Sequence, residues 1–376
     1  MDRFLRFLSR VAASYYAETV AALAAKPGKL ALFFPRYHVR YTPDYLSILK
    51  SMGLRPACVL AFRQEGDPQE VEGLPLLDLA EAGRAGVETV FVSRVNNITF
   101  CAEAYLQKLG CRCLGVEILS RMQKMRHQFT QHLESIGRVY RMLDSEGQEH
   151  YLAEWERMLS SDLSKGRWVD TEQYFLAGGY MPRQGDICID AGAFDGGTAR
   201  EFQAVGCQVH SFEMDGENYR KVQEQAEKLG FVANNAALGA ASGYMSYSSA
   251  GAGSSMGKGD KRCRVEALDE YVRSRALSRL DFVKMDIEGA ELEALRGASA
   301  SITKWKPRLA ICLYHRPQDM WEIPLYIKSL NSEYEFSVRH HTQGLELIRE
   351  QELPLVQRYG FEAKIRTIWE TVLYAK

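Results

Sequence analysis

Beyond residue 185 the chain alternates short apolar runs with longer amphipathic ones, a pattern typical of an α/β fold with a mostly parallel sheet. The apolar runs that predict buried strands occupy 186–192, 207–214, 231–238, 281–289, 307–315, 333–341 and 370–376. The runs with helical spacing lie between them, at 198–205, 217–230, 290–298 and 318–331. The carboxyl ends of parallel strands meet at one edge of a sheet, so the residues that follow these strands are the first candidates for a site.

A second, smaller α/β pattern precedes this one. Apolar runs at 29–35, 56–62, 87–93 and 113–119 predict strands of a small parallel sheet. The first strand-to-helix turn, 33–43, contains no glycine, so we do not expect it to cradle a nucleotide phosphate. The segment that follows is dense in Glu, Arg, Gln, Leu and Met and predicts two or three linking helices. The predicted domains are an α/β domain at 1–120, a helical linker at 121–178 and a larger domain at 179–376.

Composition narrows the class of protein. The 376 residues carry a formal net charge of −1, which argues against a general nucleic-acid binder. No apolar run approaches the ~20 residues of a membrane helix, so we expect no membrane insertion. The amphipathic segment 1–23 lacks the apolar centre of a secretory signal and predicts a docking helix. The eight cysteines form no CxxC pair, which favours buried free thiols and a cytoplasmic location.

The first predicted strand of the larger domain runs into the turn DAGAFDG. Asp190 ends the strand, Gly192 makes the turn, and Gly196 lets the next helix pack closely. Such a turn directs backbone N–H groups and a helix N-terminus at a ligand. It lacks the G-x-G-x-x-G spacing of nicotinamide enzymes, which argues against an oxidoreductase, and its acid suits a ligand with positive charge. The alternative is a structural turn without a ligand.

The next two strand ends also carry polar candidates. Glu213 lies 23 positions after Asp190, where an acid accepts hydrogen bonds from both ribose hydroxyls of an adenosine. The alternative is a surface acid that caps the helix beginning near Gly216. Asn235 and Ala236 follow the third strand and are placed to frame an adenine edge, although a simple turn explains them as well.

The stretch FVKMDIEGAELEALRGA, 282–298, brings several ionisable groups to the same edge of the sheet. Period-two alternation puts Lys284 and Asp286 on one face of the strand, and Glu288 lies in the turn that follows. Glu291 falls in the first turn of the next helix, where a salt-bridged helix start is the alternative. His315 ends the following strand and is placed either to accept a proton from a substrate hydroxyl or to serve as a structural histidine.

Together, the stretches CIDAGAFDGGT, SFEMDGENYRKV, NNAALG, VEALDEYV, FVKMDIEGAELEALRGA and ETVLYAK resemble the FkbM-type methyltransferases over about residues 170–376. The resemblance implies a class I Rossmann-like methyltransferase fold with seven strands, the last antiparallel to the rest, and S-adenosyl-L-methionine as cofactor. It implies cofactor binding by Asp190, Gly192, Phe194, Asp195, Gly196, Thr198, Glu213, Met214, Asn235 and Ala236, with Asp190 facing the cationic methionyl end. Many members have proline where this chain has Met214, a departure at the adenine pocket.

The resemblance further implies O-methylation of a small-molecule or glycan hydroxyl, as on a sugar or secondary metabolite. His315, Asp286 and Glu288 are then the candidate bases, and Lys284 is either a catalytic residue or pairs with Asp286 and positions it. A metal-assisted enzyme that holds Mg²⁺ on Asp286, Glu288 and His315 is one alternative, and a catalytically silent scaffold is the other. The loop 248–259 is a candidate lid, and the N-terminal domain a candidate homodimer interface or acceptor-presenting surface.

Overall fold

The structure is a computed structural model and describes residues 4, 7–8, 21–26, 28–35, 42–94, 96–115, 127–248, 255–256, 259–345 and 348–376. By contacts the chain divides into two compact units. The first comprises Met1–Leu133, Glu149–Asp170 and Thr342–Ile368, and the second comprises Glu134–Gln148, Thr171–His341 and Trp369–Lys376. The boundaries predicted from sequence are contiguous, whereas each unit contains three segments, because the chain returns to the first unit after residue 341.

The first unit has a six-stranded sheet within the part of the chain that is described. Its strands are β1 (Leu30–Phe34), β2 (Cys58–Ala61), β3 (Glu70–Val71), β4 (Leu74–Asp78), β5 (Thr89–Val92) and β6 (Arg112–Gly115). They lie in the order β3-β4-β2-β1-β5-β6, with the β3–β4 pair antiparallel and the other pairs parallel. The sequence predicted β1, β2, β5 and β6, which are adjacent in this sheet, and missed β3 and β4.

Helices complete this unit and carry the chain out of it. They are α1 (Thr42–Ser51), α2 (Asn97–Lys108) and Leu353–Tyr359, with short 3-10 turns at Leu79–Glu81, Leu163–Lys165 and Glu350–Glu352. Helix α3 (Leu133–Met142) lies almost wholly in the second unit, and α4 (Ser145–Ser160) begins in the second unit and continues in the first. A hairpin pairs Gln343–Gly344 with Lys364–Ile365. The glycine-free turn and most of the predicted docking helix lie outside the described residues.

The second unit is built on a seven-stranded sheet. Its strands in chain order are β7 (Ile187–Ala191), β8 (Gln208–Phe212), β9 (Val232–Asn234), β14 (Phe282–Met285), β15 (Arg308–Cys312), β16 (Phe336–His340) and β17 (Thr371–Ala375). Four strands of a separate sheet, β10–β13, lie between β9 and β14 in the chain. Their spatial order is β16-β17-β15-β14-β7-β8-β9. β17 runs antiparallel to both of its neighbours, and the remaining pairs are parallel. The α/β class predicted from sequence is confirmed.

Four further strands form a small mixed sheet. They are β10 (Ala237–Leu238), β11 (Gly243–Ser248), β12 (Ser255–Met256) and β13 (Lys261–Glu266), in the order β10-β13-β11-β12. The run 231–238, predicted as one strand, is therefore divided between two sheets. Part of the Gly- and Ser-rich stretch, predicted to be a soft loop, is strand β11. Most of the candidate lid, at 249–254 and 257–258, lies outside the described residues.

Helices flank the main sheet and a continuous apolar cluster fills the space beneath them. The helices are α5 (Gly197–Val205), α6 (Gly216–Leu229), α7 (Leu268–Ser274), α8 (Glu291–Arg296), α9 (Ser299–Trp305) and α10 (Asp319–Leu330). Phe202 of α5 packs edge-on against Phe282 of β14, which ties the helix to the centre of the sheet. All eight cysteines are buried free thiols. No helix among the described residues is long and apolar enough to cross a lipid bilayer.

A buried histidine links the end of β16 to strand β17 and to Thr171. His341 is 1% exposed, and its Nε2 lies 2.7 Å from the Tyr374 hydroxyl while its Nδ1 lies 3.0 Å from the Thr171 carbonyl oxygen. Burial lowers the pKa of His341 to about 4. The neutral ring fits these two contacts, since one nitrogen accepts from the hydroxyl and the other donates to the carbonyl. His341 therefore has a structural function.

The lowered pKa of His341 predicts a pH-dependent stability. The unfolded chain takes up a proton near pH 6.5 and the folded chain only near pH 4, so stability is lost as the pH falls through this window. From pH 7.5 to 5.0 the wild-type chain should lose about 2 kcal/mol more unfolding free energy than His341→Gln, measured by urea denaturation. The variant His127→Gln, which removes an exposed histidine, should follow the wild type.

Candidate active site

The turn after β7 is compressed against the neighbouring strand end. Gly192 has a φ of +81°, and a Cβ atom added there would lie 1.8 Å from the Asp286 carbonyl oxygen. The N–H groups of Gly192 and Ala193 both donate to the Phe212 carbonyl oxygen, at 3.0 Å. Only glycine fits a position with this φ and this close approach of two backbones. The turn therefore lies at the carboxyl ends of β7, β8 and β14 together.

A buried ion pair lies beneath the turn. Lys284, Asp190 and Ser211 are aligned in register across the parallel strands β14, β7 and β8. The Lys284 Nζ lies 3.0 Å from Asp190 Oδ1 and donates to the carbonyl oxygens of Ala191, at 3.1 Å, and Gly192, at 2.7 Å. The Ser211 hydroxyl donates to the other Asp190 oxygen, at 3.3 Å. All of these groups are shielded from water.

Both charged groups of this pair make their contacts inside the protein. Burial alone would lower the pKa of Lys284, but the Asp190 and Asp286 carboxylates outweigh it and raise that pKa, so the ammonium stays charged. Its three N–H groups are directed at Asp190 and at the turn, which makes Lys284 a positioning residue in this arrangement. Asp190 is 0% exposed. Its carboxylate supports the turn from below and does not face open ligand space, contrary to the expectation that it meets a cationic ligand directly.

Glu213 links the turn to the end of β8. One carboxylate oxygen accepts the N–H of Phe194, at 2.9 Å, and the other accepts the N–H of Asp215, at 2.8 Å. Burial raises the pKa of Glu213, against the lowering effect of these two hydrogen bonds. The side-chain amide of Asn235 donates to the Glu213 carbonyl oxygen, at 2.9 Å. Phe194 and Asn235, predicted at the ends of β7 and β9, thus both contact Glu213 at the end of β8.

The other predicted residues of this region have varied environments. Phe194 has a φ of +51° and is 37% exposed, which leaves an aromatic ring at the mouth of the turn. Asp195 accepts the N–H of Gly197, at 3.0 Å, and so caps helix α5 locally. Gly196 and Ala236 are buried, Thr198 and Met214 are half-buried, and Met214 packs against the apolar face of the small sheet.

Asp286 is fixed by two tyrosines. Its Oδ2 accepts a hydrogen bond from the Tyr174 hydroxyl, at 3.0 Å, and its Oδ1 accepts one from the Tyr314 hydroxyl, at 2.8 Å. Burial would raise the pKa of Asp286, but the charges of Lys284 and His315 outweigh it and lower that pKa. Sequence reasoning missed both tyrosines. Tyr314 is signalled only by its position beside His315 at a strand end, and Tyr174 by nothing in its local sequence.

His315 lies among three carboxylates. Its Nδ1 is 2.9 Å from Glu291 Oε1, and its Nε2 is 3.4 Å from Asp286 Oδ1 and 3.7 Å from Glu288 Oε1. Burial would lower the pKa of His315, but Glu288, Glu291 and Asp286 raise it to about 11. A histidine with this pKa is charged at neutral pH. A general base must be deprotonated, so this arrangement favours a charged His315 over the base function predicted from sequence.

The close approach at Gly192 predicts a strong and local effect of substitution. Gly192→Ala should lower the unfolding free energy by at least about 2 kcal/mol, because the methyl group meets backbone and φ is positive. Gly216→Ala is the control, since a Cβ there has no neighbour within 4 Å. Urea midpoints that are equally affected in the two variants would contradict this account of the turn.

The buried pair predicts a non-additive pair of substitutions. Lys284→Met leaves the Asp190 carboxylate buried without its cation and should cost about 3–5 kcal/mol of unfolding free energy. The double variant Lys284→Met/Asp190→Asn removes both charges and should be more stable than Lys284→Met alone. Denaturant unfolding of the two single variants and the double variant measures the coupling. Strict additivity would show that the pair does not act as a unit.

Comparison with known proteins finds a similar domain in this part of the chain. Residues 190–341 match the methyltransferase FkbM domain. The fold resembles the crystal structure of methyltransferase FkbM from Methylobacillus flagellatus KT, with a TM-score of 0.69 and 17% identity over 99% of this chain and 98% of that one. No curated protein matches the sequence.

Two further solved structures cover about half of the chain. They are an rRNA methylase from Streptococcus thermophilus, with 14% identity over 52% of this chain and 87% of that one, and precorrin 8w decarboxylase from Methanobacterium thermoautotrophicum, with 13% identity over 52% and 82%. Both have a TM-score of 0.29, so the fold comparison is drawn from the first structure alone. The segment that is similar to the methyltransferase FkbM domain contains the glycine turn, Glu213 and the carboxylates around His315.

Proposed function

We propose that this chain is an S-adenosylmethionine-dependent methyltransferase that methylates a hydroxyl group. The observation that carries the proposal is the convergence of three features at the carboxyl ends of adjacent parallel strands. These are the compressed turn at Gly192, the Glu213 carboxylate and the group of acids around Asp286. In open α/β sheets this edge is where ligands bind.

The residues at the turn fit an adenosine-containing cofactor. Each oxygen of Glu213 accepts one backbone N–H and keeps lone-pair capacity for a further donor, as two ribose hydroxyls require. The exposed ring of Phe194 offers an apolar surface beside that carboxylate. Asn235 and Ala236 follow β9 on the side where we expect the adenine, and Gly192 allows a ligand to approach the backbone.

The acid cluster supports proton acceptance. Bound S-adenosylmethionine supplies a methyl group on a cationic sulfur, which reacts with a nucleophile placed in line with it. Glu288 is the most exposed of the carboxylates around His315, at 33%, and is our candidate acceptor of the hydroxyl proton. Asp286, held by its two tyrosines, orients that hydroxyl. His315 contacts both Asp286 and Glu288 and keeps these acids in place.

The proposal also includes the chemical class of the methyl acceptor. A cluster of carboxylates suits a hydroxyl that only needs alignment and deprotonation. We therefore propose a sugar, a glycan or a secondary metabolite as the acceptor class, in line with the resemblance of the sequence.

Glu213→Gln tests the cofactor part of the proposal. The substitution removes the charge that would accept the ribose hydroxyls, so affinity for S-adenosylhomocysteine should fall by about 10-fold or more. Isothermal titration calorimetry on the full chain measures the dissociation constant. Glu217→Gln, an exposed acid in the first turn of α6, is the matched control and should bind like the wild type.

Two outcomes would contradict the proposal. A folded wild-type chain that does not bind S-adenosylhomocysteine would favour the silent scaffold. Binding that Glu213→Gln and Glu217→Gln weaken equally would place the ligand elsewhere.

A further inference from the structure

Three side chains at the edge of the sheet form a compact set of metal-ligand types. Asp286, Glu291 and His315 each offer one ligand atom, and these atoms all lie within 4.8 Å of one another. The three come from different places in the chain: the end of β14, the start of α8 and the segment after β15. Glu291 is 0% exposed and His315 is 7% exposed at its side chain.

Three potential ligand atoms of Glu291 and His315 lack hydrogen-bond partners within the described residues. Glu291 Oε1 accepts the N–H of Ile287, at 2.8 Å, but its Oε2 accepts no hydrogen bond from any residue that the structure describes. Neither ring nitrogen of His315 makes a hydrogen bond of ordinary geometry within the described chain, although carboxylate oxygens surround the ring. A buried carboxylate oxygen without a partner is costly in a native structure, and a bound ion is one of its explanations.

The set and the neighbouring Glu288 carry a net negative charge that a cation would balance. Asp286, Glu288 and Glu291 all lie within 4 Å of the one imidazole, so even a charged His315 leaves the group with a net negative charge. The nearby Lys284 is directed at Asp190 and the turn. Burial makes uncompensated negative charge expensive, which favours a divalent ion at this point.

We propose that Asp286, Glu291 and His315 bind one divalent first-row transition-metal ion, which displaces a proton from the imidazole. Two carboxylates and an imidazole suit Mn²⁺, Fe²⁺ or Zn²⁺, whereas Mg²⁺ and Ca²⁺ prefer oxygen ligands throughout. The set differs from the Mg²⁺ alternative drawn from sequence, because the buried Glu291 takes the place of the more exposed Glu288.

The surroundings support such an ion. The hydroxyls of Tyr174 and Tyr314 donate to Asp286, and the Ile287 N–H donates to Glu291, so both carboxylates are already oriented. What the ion does rests on the proposed function. It would bind the acceptor oxygen as a Lewis acid and promote loss of its proton to Glu288.

Binding of Mn²⁺ tests the site directly. The full chain is treated with a chelator, dialysed and titrated with MnCl₂, and free Mn²⁺ is measured by electron paramagnetic resonance. We expect saturable binding of one ion per chain, weakened about 10-fold or more in Glu291→Gln. The amide of this variant can still accept the Ile287 N–H through its oxygen. Glu293→Gln, an exposed acid on the same helix, is the matched control and should bind like the wild type.

Calorimetry with S-adenosylhomocysteine on the same chelated samples separates this inference from the proposed function. Cofactor binding without Mn²⁺ binding, or equal Mn²⁺ affinity in the wild type and Glu291→Gln, would overturn the metal site and leave the methyltransferase proposal intact. Mn²⁺ binding without cofactor binding would support the metal site and overturn the methyltransferase proposal. If Glu291→Gln fails to fold, His315→Gln replaces it with the same expected loss.

Discussion

The site depends on one buried interaction, the ion pair of Lys284 and Asp190. The two residues are directly opposite each other on neighbouring parallel strands, and Lys284 also donates to both carbonyls at the start of the glycine turn. A buried charge is stable only when its partners satisfy it, so strand register, turn and ion pair must form together. A shift of one residue in either strand would leave both charges without a partner.

The acids near His315 follow from the same arrangement. The turn at Gly192 lies against the Asp286 carbonyl, which fixes where β14 ends and where the Asp286 side chain begins. Tyr174 and Tyr314 then hold that carboxylate, and His315 is drawn between three acids. Concentrating acids at one edge raises the pKa of the histidine and favours its charged form.

The sequence predicted those features of the site that depend on residues close together along the chain. Alternation predicted β7, β8 and β14, and the end of β8 predicted Glu213. Contacts between distant segments were not accessible. The hydroxyl of Tyr174 reaches Asp286 from 112 positions away, and the charge of His315 depends on acids from two other elements. The partner of Lys284 was also missed, because alternation places Asp286 on the same strand but only the register with β7 brings in Asp190.

The central claim is that the turn, Glu213 and the acid cluster form one cofactor and acceptor site. A crystal structure of the chain with S-adenosylhomocysteine tests it most directly. The account predicts ribose hydroxyls within hydrogen-bond distance of the Glu213 carboxylate, and a sulfur atom on the side of Asp286 and His315. Density for the ligand at another edge of the sheet, or a ribose that does not meet Glu213, would contradict it.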